Sequence, residues 1–223
     1  MSRQDIAGAR RIVIKLGTGV VTHPAAGLAL GRLSSLVEGV ADLHRQGREV
    51  IVVSSGAVGM GQRVLGMARR PDSLGLRQAC AAVGQGHLIA LYTQLFGQLG
   101  VKAAQVLLTQ EDLGDRDRAL CVRTTLMRLL ELGVVPILNE NDSVSVRELI
   151  EYRRGQGEGA PALEFGDNDG LSARVAAAVD ADLLVILTDV DGLYTANPSA
   201  DPAARRIAEL PGVDDEALAR TIG

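Results

Sequence analysis

Two stretches of this chain combine residue types suited to phosphate or carboxylate chemistry. The first is Lys15-Leu16-Gly17-Thr18-Gly19, a lysine just ahead of a glycine-rich turn. Glycines let backbone N–H groups approach a phosphate, and the adjacent ammonium supplies a mobile point charge. The spacing is neither a Walker A loop nor the G-x-G-x-x-G fingerprint, so both of those assignments are excluded. Lysine is scarce here, with Lys15 and Lys102 the only two among 23 basic residues. In a chain that otherwise chooses arginine, a lysine beside such a turn points to a need for a compact ammonium rather than a planar fork. The competing account is a plain turn with a chance lysine.

The second stretch is Phe165-Gly166-Asp167-Asn168-Asp169-Gly170. An EF-hand register would put Phe165 and Ala176 at its first and twelfth positions, where neither side chain binds a cation, so calcium is excluded. What remains is a helix cap, with Asp167 or Asp169 at the N-terminus of a helix predicted over 169–180, or a catalytic acid cluster. Three more polar clusters stand beside these. Ser54-Ser55-Gly56-Ala57 offers hydroxyls and N–H groups to an anion, or merely caps a helix. Asn139-Glu140-Asn141-Asp142 suits an ammonium and a carboxylate held together, or forms an Asx-turn. Thr188-Asp189-Val190-Asp191-Gly192 is the last.

Each cluster needs an element to hold it. Apolar runs predict buried strands at 11–16, 49–54 and 134–138, a third strand at "KAAQVLL" and a fifth at "ADLLVILTD". Between them, Leu33, Leu36, Val37, Val40 and Leu43 share a helical face that stops at Gly47. Further helices are expected over 74–99, over 117–132 closed by Gly133, and over 169–180. Strands apolar throughout and alternating with helices imply an α/β three-layer αβα sandwich around a mainly parallel sheet. The polar clusters then fall at the carboxyl ends of four strands, where open sheets of this type bind ligands. Lys102 begins a strand and is placed at the opposite end. Segment 151–161, "EYRRGQGEGAP", reads as a mobile hairpin or loop.

Composition narrows the function classes. The formal net charge of −4 gives no general reason to expect nucleic-acid or membrane binding, and no apolar run reaches membrane-spanning length. The N-terminus lacks a signal-peptide core, so a cytoplasmic enzyme is expected. Cys80 and Cys121 match no metal or redox spacing and are expected to be buried thiols. His23, His44 and His87 form no recognisable set, and no metal ligands are assigned.

The segments "VIKLGTG", "VVSSGAVGMG", "LRQACAAVGQGHL", "VPILNENDSV", "FGDNDGLSA" and "LTDVDGLYTANP" together resemble the amino acid kinase family, in order and approximate spacing. The likeness runs from about residue 11 to 215 and is closest to the members that phosphorylate glutamate. It implies an amino acid kinase domain over 1–223 and ATP-dependent phosphorylation of the L-glutamate γ-carboxylate, with Mg²⁺. Lys15 and Asp169 would be catalytic, with Asp169 organising lysines rather than taking a proton. Ser55, Asp142 and Asn168 would bind glutamate. Lys15, Gly17, Thr18, Gly19, Thr188 and Asp189 would contact the nucleotide. The resemblance also implies homo-oligomers, dimers or tetramers, with the long helix at 74–99 as the natural contact, and proline as a feedback inhibitor. In the family a glycine-rich segment with a second catalytic lysine follows the last motif seen here, and many members add a small RNA-binding-like domain. The chain is therefore expected to be a C-terminally truncated kinase domain lacking both.

Overall fold

The structure is a computed structural model that describes residues 6–23, 27–69, 71–144, 167–188, 190–198 and 200–209. It divides into two compact units, Met1–Leu187 and Thr188–Gly223.

The first unit is built on a five-stranded sheet. In chain order its elements are β1 (Arg11–Leu16), α1 (Thr18–Val21), β2 (Thr22–His23), β3 (Gly27–Leu28), α2 (Leu30–Arg45) and β4 (Glu49–Ser54). Then come α3 (Ala57–Val64), α4 (Leu74–Gln98), β5 (Lys102–Leu108), α5 (Gln110–Gly114), α6 (Arg116–Glu131) and β6 (Val134–Glu140). Two more, α7 (Asp167–Ala178) and β7 (Leu183–Leu187), complete the described set. The strands lie in the order β5-β6-β4-β1-β7, every pair parallel. The short β2 and β3 pair with each other, antiparallel.

Strict alternation of side chains along the strands separates two cores. Ile12, Ile14 and Leu16 of β1, Val50 and Val52 of β4, and Val135 and Ile137 of β6 meet α2, α3 and α4 through Leu33, Val37, Met60, Leu88, Tyr92 and Phe96. Their in-between neighbours Val13, Ile51, Val53 and Leu138 meet α6 and α7 through Leu126, Leu171 and Val175, with Val179 just past the end of α7. The expected three-layer αβα sandwich is thus present, with the sheet buried on both faces.

Local chemistry explains the element ends. Ser73 caps α4 by accepting from Leu76 N–H, and Asp115 caps α6 by accepting from Asp117 and Arg118 N–H. Thr109 and Asp112 form a capping box at α5. Gly47 and Gly133, with φ of +79° and +66°, close α2 and α6 as expected. One helix crossing is unusually close. A Cβ on Gly61 of α3 would lie 1.8 Å from the Cys80 carbonyl oxygen, and one on Gly84 of α4 would lie 1.8 Å from that of Ala57. Only glycine permits this contact.

Several boundaries differ from expectation. Strand β6 runs two residues past 138, because pairing with β5 continues to Leu108↔Glu140 and carries Asn139 and Glu140 into the sheet. Helix α7 spans 167–178 rather than 169–180, so Asp169 lies inside its first turn and is not its N-cap. Strand β7 occupies only 183–187 of the expected 181–189. Cys80 is buried, but Cys121 is exposed. The inward face of α6 carries Val122, Leu126 and Leu130, and Cys121 points well over a quarter-turn away from Leu126 at its centre. Segment 151–161 lies outside the described residues.

The second unit holds an isolated antiparallel bridge between Tyr194 and Arg206. Thr195 N–H donates to the Arg205 carbonyl at 3.0 Å, and Tyr194 Oη donates to Asp191 at 2.6 Å.

Candidate functional site

The polar residues gather at the carboxyl ends of β1, β4 and β6, where the start of α7 meets them. Lys15 falls on the same face of β1 as Val13, and Val13 belongs to the core that packs on α7. That alternation aims the lysine at the first turn of α7, where Asp169 stands. Lys15 Nζ lies 2.6 Å from Asp169 Oδ1. Asp169 Oδ1 makes no directed hydrogen bond among the described residues, so the contact is held by charge and proximity. Lys15 is 8% exposed, whereas the Asp169 side chain is 38% exposed. A nearly buried ammonium requires an anionic partner. Here the partner is itself open to solvent, so the pair presents charge outward.

The neighbouring Asn168 is 6% exposed and ties α7 to two strand ends. Its Nδ2 lies 3.0 Å from the Ser54 carbonyl, 2.7 Å from Ser55 Oγ and 3.0 Å from Asn139 Oδ1. Asn139 Oδ1 also accepts from Glu140 N–H at 2.9 Å, and Asn139 Nδ2 donates to Gln85 Oε1 at 2.7 Å. The opposite atom, Asn168 Oδ1, is buried and has no hydrogen-bond partner among the described residues. A buried acceptor left in that state is costly unless a ligand supplies a donor.

Neither serine of the β4 turn caps α3. Gly56 occupies that position, with φ +105° and no side chain to bond. Ser55 Oγ serves Asn168, and Ser54 Oγ lies 2.8 Å from Tyr92 Oη. Burial pushes the Tyr92 phenol above its ordinary range, so it stays neutral and the pair acts as structural support. After β6, Asn141 N–H donates to the Leu108 carbonyl at 2.8 Å, and Asp142 follows in a turn, half-buried.

The glycine-rich turn after β1 is arranged differently from a free phosphate cradle. Gly17 N–H donates to the Leu187 carbonyl at 2.9 Å, and Gly17 has φ −66°, which needs no glycine. Thr18 and Gly19 open α1, whose first N–H groups have no partner within the helix. Lys102 is exposed at the start of β5, away from the site end, as expected. Thr188 opens the second unit and Asp189 lies outside the described residues. Among the described residues, no group of three or more His, Cys, Asp or Glu is placed to hold a metal, and no helix is long and apolar enough to cross a membrane.

Sequence reasoning missed the roles of buried Asn139 and Ser54 and of partly exposed Gln85. Asn139 stood in a recognised cluster, but nothing in the sequence linked it to Gln85, 54 positions away.

Comparison with known proteins agrees with the fold. The amino acid kinase family model matches residues 10–221. The chain is 47% identical over 213 residues to a glutamate 5-kinase of Symbiobacterium thermophilum, covering 96% of this chain and 76% of the relative. It is 49% identical over 208 residues to a glutamate 5-kinase of Gloeobacter violaceus, with 93% and 53% covered. Against that of Methylococcus capsulatus it is 42% identical over 222 residues, with 100% and 55% covered. The chain therefore spans about three quarters of the first of these relatives and about half of the other two. A parallel αβα sandwich, an ammonium–carboxylate pair at the strand ends and a match across nearly the whole sequence agree, and the chain belongs to the amino acid kinase family.

Proposed function

We propose that the protein carrying this chain transfers a phosphoryl group from ATP to the γ-carboxylate of L-glutamate, giving γ-glutamyl phosphate, the first step of proline biosynthesis. The observation that carries this reading is the Lys15–Asp169 pair at 2.6 Å. The acceptor has a pKa of about 4.3, so it is already anionic at neutral pH and needs no general base. The barrier is electrostatic, because a carboxylate must approach a polyphosphate while charge spreads over the transferring group. Cationic stabilisation and alignment then supply most of the rate.

Lys15 provides that positive charge, and Asp169 holds its ammonium without accepting a proton. Asn168 turns a buried carbonyl oxygen toward the α-ammonium of glutamate, Asp142 pairs with the same ammonium, and Ser55 positions the substrate. Gly17, Thr18 and Gly19 border the phosphates, with Thr188 and Asp189 assigned to the nucleotide. The donor set at the strand ends fits an anionic polyphosphate. Mg²⁺ would be carried on the phosphate oxygens, neutralising charge there, since it needs only one or two protein carboxylates.

A cytoplasmic homo-oligomer joined through α4 and inhibited by proline belongs to the same proposal. Trapping the acyl phosphate as its hydroxamate tests it. L-glutamate is expected to be turned over well and N-acetylglutamate poorly, since an acetyl group removes the charge that Asp142 would meet. Preference for the acetylated acid would overturn the assignment.

A further inference from the structure

We propose that Gln85, on α4, is a positioning residue that fixes the orientation of the Asn168 carboxamide and so sets which atom the pocket offers to a substrate ammonium. Two backbone groups of fixed polarity anchor the network. The Ser54 carbonyl can only accept, and it lies 3.0 Å from Asn168 Nδ2. The Glu140 N–H can only donate, and it meets Asn139 Oδ1 at 2.9 Å. With that oxygen so placed, Asn139 Nδ2 is turned toward α4, where Gln85 Oε1 accepts at 2.7 Å. Turning Asn139 over would set its NH₂ against both Glu140 N–H and Asn168 Nδ2, and its oxygen against Gln85 Oε1. The pairings with Glu140 N–H and Asn168 Nδ2 would both be lost, and the third as well unless Gln85 turned over with it.

Gln85 thus braces Asn139 in the orientation that Glu140 N–H sets, and Asn139 Oδ1 helps hold Asn168 at 3.0 Å. Asn168 Oδ1 is then the atom left buried without a hydrogen bond among the described residues. The base of this relay is rigid, because Gly84 beside Gln85 packs on the Ala57 carbonyl at a distance no other residue tolerates. The ligand group that fits Asn168 Oδ1 is a donor, and a primary ammonium of an amino acid fits it best. This assignment rests on the glutamate reading above.

The test compares wild type with Gln85→Leu and Gln85→Glu, the latter keeping a side-chain oxygen acceptor. In unliganded ¹⁵N-labelled protein, the side-chain NH₂ groups of Asn139 and Asn168 are expected to be protected from solvent exchange. Protection is expected to fall in the Leu variant and persist in the Glu variant. By calorimetric titration, L-glutamate should bind the Leu variant about tenfold more weakly, the scale of one lost hydrogen bond to a charged group. The Glu variant should stay within about twofold of wild type, and in turnover the loss should appear in KM rather than kcat. Gln85→Met, similar in length, replaces the Leu variant should that one fail to fold. Unchanged amide protection, equal weakening by Leu and Glu, or a fall in kcat at constant KM would each overturn the proposal. The expected amide pattern without glutamate binding by any of these proteins would instead overturn the glutamate reading, and with it the substrate half of the proposal.

Discussion

Lys15 shows how a single side chain is fixed by its strand and used by the site. Its 8% exposure leaves little freedom, and Asp169 at 2.6 Å takes most of what remains. Lys15→Ala is expected to lower kcat by roughly 3–4 kcal/mol of transition-state stabilisation, the usual cost of losing one such donor. Glutamate affinity measured by calorimetry should change far less. Lys15→Arg should not restore the rate, because a planar fork cannot reproduce a point charge at that spot. An alanine variant with near wild-type kcat would remove Lys15 from the mechanism. At this scale the sequence was informative where chemistry and scarcity coincided, as with one of only two lysines. It was silent on Gln85, an ordinary helical glutamine whose meaning depends on a strand end far along the chain. It also left open whether the β4 serines cap a helix, since a helix start read from sequence does not reveal that a glycine with positive φ already holds the cap.

Elements carry the second layer of control. The α3–α4 crossing fixes Ala57, the first residue after the Ser54–Gly56 turn, against Gly84. Gly84→Ala is expected to destabilise the fold by about 1–3 kcal/mol through overpacking against a backbone carbonyl that cannot step aside. Thermal or urea denaturation would measure it, and a variant as stable as wild type would show that the helices can part. The capping box of α5 gives a pH dependence. The Thr109 backbone N–H holds the Asp112 carboxyl below the ordinary carboxylate range, aided by the Thr109 hydroxyl and Arg118. Because the folded-state pKa is depressed, its contribution is fully present above the unfolded value of about 3.9 and disappears as pH falls through the lower folded value. Asp112→Asn is expected to cost about 1 kcal/mol at neutral pH and to flatten the acid limb of a Tm–pH curve. Long helices such as α2 and α4 were legible from apolar residues at helical spacing, and β4 from an uninterrupted apolar run bounded by turn residues. The short helices α1 and α5 were not, since four or five residues cannot display a period, and of α3 only the start was legible. The start of α7 was misplaced because either aspartate of its motif makes an equally good cap in sequence.

For the molecule as a whole, the order β5-β6-β4-β1-β7 sets both its strength and its weakness. Central β1 and β4 hold the site end between two cores. Strand β7, Leu-Leu-Val-Ile-Leu, pairs with β1 alone among the described residues, and Ile186 on it is 45% exposed. An apolar edge of this kind invites pairing with another chain. Ile186→Lys is therefore expected to raise solubility and reduce the heat-induced aggregation of this polypeptide by light scattering, with little change in Tm. Increased aggregation would show that the isoleucine is needed for packing. The two-sided burial of the sheet was legible from uninterrupted apolar runs, while its strand order and register were not, because only tertiary pairing decides them. That register has a consequence for fidelity. Ile14 and Leu16 line an apolar cavity of about 220 Å³ bordered by Val37, Val40, Tyr92 and Phe96, whereas Lys15 between them faces the opposite layer. Slipping β1 by one residue would turn the lysine toward that cavity and leave an aliphatic side chain, Ile14 or Leu16, in its place opposite Asp169. The residue assigned to chemistry thus also acts as a proofreading mark, penalising misfolded alternatives that differ from the native chain by a single step.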